Sequence, residues 1–138
     1  MSAAEPSAEP FLDTNVLLYL LSADVAKADR AEALVAAGGV ISVQVLNEFA
    51  SVAKRKLGLE LSELRELLST FRSVFRVVAL DLETHEAGVE LAYRHQVSIY
   101  DGLILAAALG AGCTTIYTED LGHDRRIGPL TIRNPFLG

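Results

Sequence analysis

Short apolar runs alternate with longer amphipathic or alanine-rich stretches along this chain, and most stretches end on a glycine or a cap-forming residue. Phe11-Leu12-Asp13 predicts the end of a first strand, and the apolar residues 16–21 predict a helix. Residues 24–37, alanine-rich with scattered charges, predict a second helix that stops at Gly38-Gly39, because glycine takes the left-handed backbone that closes a helix. Val40-Ile41 predicts a second strand. Ser42 is placed to cap a helix running to about residue 57, with Gly58 as its stop, and Ser62 to cap another running to about residue 73. Residues 75–80 are rich in Val and Phe and predict a strand. Helices follow over 81–95 and from Ser98 to Gly110, then a strand over 114–117. Residues 130–132 predict a last strand at the sheet edge, ended by Pro135. Strands separated by helices predict an α/β fold, a parallel central sheet with helices on both faces.

The length of 138 residues predicts one domain, over 10–138, behind a flexible tail over 1–9 rich in Ser, Ala, Glu and Pro. A composition 51% hydrophobic and 22% charged excludes disorder for most of the chain. The single cysteine, Cys113, excludes an intramolecular disulfide framework and a thiolate zinc cluster; it reads as a core residue of a protein in a reducing cytoplasm. No secretory signal opens the sequence, and the longest uncharged stretch, 102–118, is broken by Gly110, Gly112 and three threonines, so no membrane span is expected. Twelve basic residues against eighteen acidic ones give a net charge of −6. That excludes a simple electrostatic nucleic-acid binder; a polyanionic substrate would need something else to offset the repulsion.

In a parallel α/β sheet, ligands bind outside the carboxyl ends of the strands. Asp13 at the end of the first strand, Asp101 at the start of its buried helix and Asp120 just past the strand over 114–117 all fall at that edge. Glu48 lies six residues past Ser42, roughly 9 Å along its helix from the same edge. On a helical wheel it flanks the stripe Val45, Leu46, Phe49, Val52 and Ala53, and no basic residue three or four positions away pairs with it. Each acid has a plainer reading: Asp13 as a helix cap, Asp101 as part of a Ser98 capping box, Glu48 as a surface residue, Asp120 as part of a polar loop with Glu119 and Asp124. Together they would repel unless a hard divalent cation joined them. Mg²⁺ or Mn²⁺, which prefer oxygen ligands, would do so and bridge an acidic protein to a phosphate.

These residues lie in five ordered blocks: Phe11-Leu-Asp13-Thr14-Asn15, Ile41-Ser42-Val-Gln44-Val-Leu-Asn47-Glu48-Phe49, Tyr100-Asp101-Gly102, Thr118-Glu119-Asp120-Leu121 and Asn134-Pro135-Phe136. In order and spacing, over nearly the whole chain, they resemble the PIN-domain ribonucleases, and among those the VapC-type toxins of toxin–antitoxin pairs. The resemblance implies a PIN-like fold and a Mg²⁺- or Mn²⁺-dependent endoribonuclease. It implies Asp13, Glu48, Asp101 and Asp120 as catalytic, metal-binding acids, with Asn15 and Thr118 supporting them. It further implies an RNA substrate, a cognate VapB-type antitoxin and a homodimer. This chain carries Asp124 where many relatives have a glycine, and the pattern leaves open whether Glu119 takes part.

Lys54 and Arg55, with Lys56, end one helix, and Arg125-Arg126 follow the acidic loop. They read either as helix-end and loop cations or as phosphate contacts beside the acids, with Arg55 the best placed because it shares a helix side with Glu48. His85 and His95 read as surface residues, His123 as a loop histidine near the acids, and Tyr100 as a packing residue. Two other classes compete. A phosphotransferase with an aspartyl nucleophile suits an acidic doubly wound domain, but the last lysine is Lys56, and Asn15 breaks the Asp-x-Asp pattern of dehalogenase-like phosphatases. A catalytically silent PIN-like RNA- or protein-binding module would keep the acids without turnover.

Overall fold

The computed structural model describes residues 9–137, so most of the expected tail lies outside the described residues. The described chain forms six strands and six α-helices in the order β1 (Phe11–Leu12), α1 (Thr14–Leu18), a 3₁₀ turn (Tyr19–Leu21), α2 (Val25–Ala37), β2 (Gly39–Ser42), α3 (Val43–Arg55), α4 (Leu61–Val74), β3 (Phe75–Val78), α5 (Leu82–His95), α6 (Ile99–Gly110), β4 (Thr115–Tyr117), β5 (Arg126–Ile127) and β6 (Leu130–Arg133). The strands make one sheet in the order β3-β2-β1-β4-β6-β5. All pairings are parallel except β5 with β6.

The α/β expectation holds. Successive strand residues point to opposite faces, and in β1 and β2 every residue is buried, so both faces of the central sheet are covered. The chain runs from β1 to β2 to β3 in one direction and from β3 back to β4 in the other, and because crossovers between parallel strands are right-handed as a rule, this reversal puts the two sets of connecting helices on opposite faces. Phe11, Leu12, Ile41, Phe49, Ile104, Leu105, Ile116 and Ile132 form the centre of the core. Cys113 is buried, as its apolar neighbourhood predicts, and burial pushes its thiol pKa up.

Local chemistry sets most boundaries. Asp24, Ser42, Asp81 and Ser98 each accept a backbone N–H from the first turn of the helix they precede. The cap of α4 departs from expectation. Ser62 lies inside the helix, and Glu60 is the cap, in a reciprocal capping box with Glu63. The apolar stretch 16–21 is divided between the end of α1 and the 3₁₀ turn.

The last strand is also placed differently. β6 is not at the edge: it lies between β4 and β5, and the edge is the two-residue strand β5. Residues 126 and 127 pair with the hairpin partner Leu130–Thr131 across Gly128, which has a positive φ of 58°. So short a strand, with one exposed arginine and one buried isoleucine, leaves no period for a pattern to show.

Candidate active site

The sheet order reverses between β1 and β4, and the crevice outside their carboxyl ends is where doubly wound sheets hold ligands. Leu12 pairs with Tyr117, and the Asp13 N–H donates to the Tyr117 carbonyl at 3.0 Å. Asp13 and Thr118 are therefore level at that crevice. Both are buried, and the Thr118 hydroxyl donates to Asp13 Oδ2 at 2.9 Å. The other oxygen, Oδ1, accepts from the Thr14 N–H at 2.7 Å, so Asp13 is both the cap of α1 and part of the crevice.

Asn15, in the first turn of α1, ties this corner together. Its Nδ2 donates to Thr118 Oγ1 at 3.2 Å and to Asp120 Oδ2 at 3.1 Å, and its Oδ1 accepts from the Glu119 N–H at 3.1 Å. Glu48 reaches in from α3. Its Oε1 accepts from the Thr14 hydroxyl at 2.8 Å, and its Oε2 from Gln44 Nε2 at 2.9 Å. Asp101 stands in the first turn of α6, where its N–H donates to the Ser98 hydroxyl at 3.0 Å. From Gly102 to Ala108 that helix is wholly buried, so its first acid stands at the rim of the core.

The acids feel one another. Burial, reinforced by the charges of Glu48 and Asp101, raises the Asp13 pKa to about 7, although the Thr14 and Thr118 bonds pull the other way. Burial also raises Asp101, helped by the charges of Asp120 and Glu48. The four predicted acids are thus electrostatically linked through Asp101 and Asp13, and among the described residues no lysine or arginine forms an ion pair with any of them.

The profile of the PIN domain family matches residues 11–127. The chain belongs to this family. No curated protein matches it by sequence. Three solved structures with the same fold are a toxin–antitoxin complex from Klebsiella pneumoniae, a DNA-bound VapBC from Salmonella typhimurium and a VapC toxin from Mycobacterium tuberculosis described as cleaving the sarcin-ricin loop. The first is 20% identical with a TM-score of 0.70, covering 92% of this chain and 98% of that one. The second is 20% identical with a TM-score of 0.68, covering 94% and 99%. The third is 23% identical with a TM-score of 0.63, covering 80% and 88%.

Several neighbours of this PIN domain's acids take other roles. Glu119 turns onto Tyr19 and Lys27. Asp124 pairs with Arg133 and lies near His123. Its φ of 65° is left-handed, a conformation that favours glycine and that aspartate tolerates better than most residues. His123 accepts from the Asn134 N–H at 2.9 Å. Arg125 donates to the His95 carbonyl at 3.0 Å, which commits it to the end of α5, and Arg126 lies exposed on β5. Lys54, Arg55 and Lys56 are exposed at the end of α3. Tyr100 is 63% exposed and so does not pack as expected, because the buried face of α6 begins only at Gly102.

Two residues beside Glu48 were not singled out from the sequence for this place. Thr14 and Gln44 stand in the quoted sequence blocks without a role of their own. The spacing of Gln44 and Glu48, four residues apart on one helix, is the signal that pairs them.

Among the described residues, no three acidic, histidine or cysteine side chains stand close enough to hold a metal ion as they are. The donor set nevertheless fits a hard cation. It offers only oxygens, one of its carboxylates is buried without a cationic partner, and Mg²⁺ is commonly held by one or two carboxylates plus water.

Proposed function

We propose that this PIN domain is a metal-dependent endoribonuclease toxin that cleaves RNA phosphodiester bonds and is inhibited by a cognate VapB-type antitoxin. The observation that carries the reading is the raised pKa of Asp13 in a cluster with Glu48, Asp101 and Asp120. A buried carboxylate whose pKa is raised by burial and by the charges of neighbouring acids, with no lysine or arginine paired to it, is what a divalent-ion site presents before the ion arrives.

Asp13 and Asp101 would hold Mg²⁺ or Mn²⁺, with Glu48 and Asp120 completing its surroundings. When bound, the ion activates water and offsets the charge that builds on a phosphoryl group. The chain supplies orientation. Thr118 and the Thr14 N–H fix both oxygens of Asp13. Thr14 and Gln44 fix both oxygens of Glu48. Asn15 keeps Asp120 beside Thr118. Asp101 is held by Ser98, through its own N–H and through a side-chain hydrogen bond to its carboxyl.

The exposed Lys54, Arg55 and Lys56 suit phosphates flanking the site. A cleft of about 320 Å³ opens beside Asn15, with Leu18, Leu21, Val52 and Leu57 among its walls and Lys56 at its rim. Its apolar lining suits the antitoxin, consistent with the toxin–antitoxin complexes that share this fold. A larger cavity of about 500 Å³ opens beside Arg76, Leu91 and Ala107 and includes none of the four acids. No helix among the described residues is long and apolar enough to cross a membrane, and we place the toxin in the cytoplasm with its RNA.

The test is cleavage of a structured RNA by the purified chain in Mg²⁺, in Mn²⁺ and in EDTA. Cleavage restricted to the metal arms is the expected result. Undiminished cleavage in EDTA contradicts the reading, and specific RNA binding with no cleavage in any arm favours a silent binding module.

A further inference from the structure

Glu119 sits between Thr118, which bonds Asp13, and Asp120, yet its carboxylate takes no part in the acid cluster. The Tyr19 hydroxyl lies 2.7 Å from both Glu119 oxygens, and Lys27 Nζ lies 3.5 Å from Oε2 and 3.2 Å from the Tyr19 oxygen. Lys27 also lies over the Tyr19 ring, 4.7 Å from its centroid, and the Phe136 ring packs on Tyr19 at 4.5 Å. On the other side, the Glu119 N–H is held by Asn15, whose amide also holds Thr118 and Asp120.

We propose that Tyr19 and Lys27 act as a brace on Glu119, making Glu119 a positioning residue that sets Thr118 and Asp120 against the crevice while its own charge is kept out of the metal's surroundings. The proposal rests on the metal-nuclease reading above. Its physical basis is repulsion: without a cation, the like charges of Asp120 and Asp101 oppose one another, and short-range bonds such as that from Asn15 hold Asp120 in place. A carboxylate one residue from Asp120 would otherwise be a fifth negative charge in the cluster and a competitor for the ion. The hydrogen bond from Tyr19 and the ammonium of Lys27 satisfy it elsewhere. The brace also gives Phe136, in the Asn-Pro-Phe block, a role: it backs the ring that carries the hydroxyl.

The experiment uses the full chain and Mn²⁺ alone as probe. Free Mn²⁺ is measured by electron paramagnetic resonance, and amide hydrogen exchange is measured in parallel. Tyr19→Phe removes the hydroxyl but keeps the ring on Phe136. It is expected to weaken Mn²⁺ binding about tenfold, the lower end of the range for residues that orient metal ligands. It is also expected to speed exchange of the Glu119 amide while leaving the β4 amides protected. In an Asp120→Asn background the same change is expected to weaken Mn²⁺ binding no further, because the brace acts through Asp120. Glu119→Gln, which keeps an acceptor for Tyr19, is expected to fall between wild type and Glu119→Ala. Unchanged Mn²⁺ affinity and unchanged Glu119 exchange in Tyr19→Phe overturn the brace, as does an equal further loss in the Asp120→Asn background. A wild type that binds no Mn²⁺ overturns the metal reading instead, and accelerated Glu119 exchange in Tyr19→Phe then still distinguishes a brace from none.

Discussion

The carboxyl of Asp13 is asked to be buried and to be charged, and the chain around it serves both demands in part. Two donors favour its ionised form, while burial and two neighbouring acids favour the proton, leaving its pKa at about 7. The consequence for stability has a definite sign. An unfolded aspartate ionises near pH 4, so between about pH 4 and pH 7 the folded state holds a proton that the unfolded state has lost. This group's contribution to stability therefore falls as pH rises through that window and levels off above about pH 7. In chelated protein, Asp13→Asn should gain on wild type across the window by up to about 4 kcal/mol. Urea unfolding of both proteins at pH 4.5 and pH 8 checks it; a difference that does not change with pH contradicts the electrostatic account. That Asp13, Asp101 and Asp120 fall at one edge of the sheet was legible in the sequence because they follow strands or open a helix, whereas Glu48 was read from the face of α3 it occupies. Their supports were less so. That Gln44 and Thr14 hold Glu48 depends on α1 and α3 meeting, and no local pattern states that.

Among the elements, α6 places Asp101, and its partner α5 fixes α6. The two helices approach so closely that a Cβ added at Gly102 would stand 2.2 Å from the Gly88 carbonyl oxygen, a backbone atom. Gly102→Ala should therefore force the helices apart at the residue next to Asp101. The expected cost is about 1–3 kcal/mol, read as a fall in Tm of roughly 3–10 °C, with a loss of activity at temperatures where the variant is folded. An unchanged Tm would show that α5 gives way freely. The buried course of α6 was legible, since it is apolar all round, and the caps Ser42 and Ser98 announced their helices. The edge strand β5 was not legible. It is two residues long and exists because the hairpin with β6 gives its backbone a partner. Reading β6 as the edge followed from missing it.

At the scale of the molecule, a net charge of −6 sets the terms on which a polyanion could approach, and the cluster of acids makes a cation part of those terms. Apolar residues of α1, the 3₁₀ turn and α4 are mostly committed to the core: Leu18, Leu20, Leu64, Leu67 and Leu68 pack on it. Exposed apolar side chains remain at Leu61, Leu82, Tyr93 and Tyr100. We expect these to be covered in a homodimer, so that sedimentation at micromolar concentration gives twice the 14.8 kDa of one chain; a monomer at that concentration contradicts it. The proposal that the four acids form one catalytic unit acting on RNA stands or falls on Asp101→Asn. The change removes one charge from a partly buried rim position and leaves the Ser98 cap bond, which uses the backbone, in place. Wild type and variant, purified identically, are compared in single-turnover cleavage of one structured RNA in Mg²⁺. A loss of at least about a hundredfold with folding intact is expected, as where a charged group stabilises the transition state. Equal cleavage by the two proteins would contradict it.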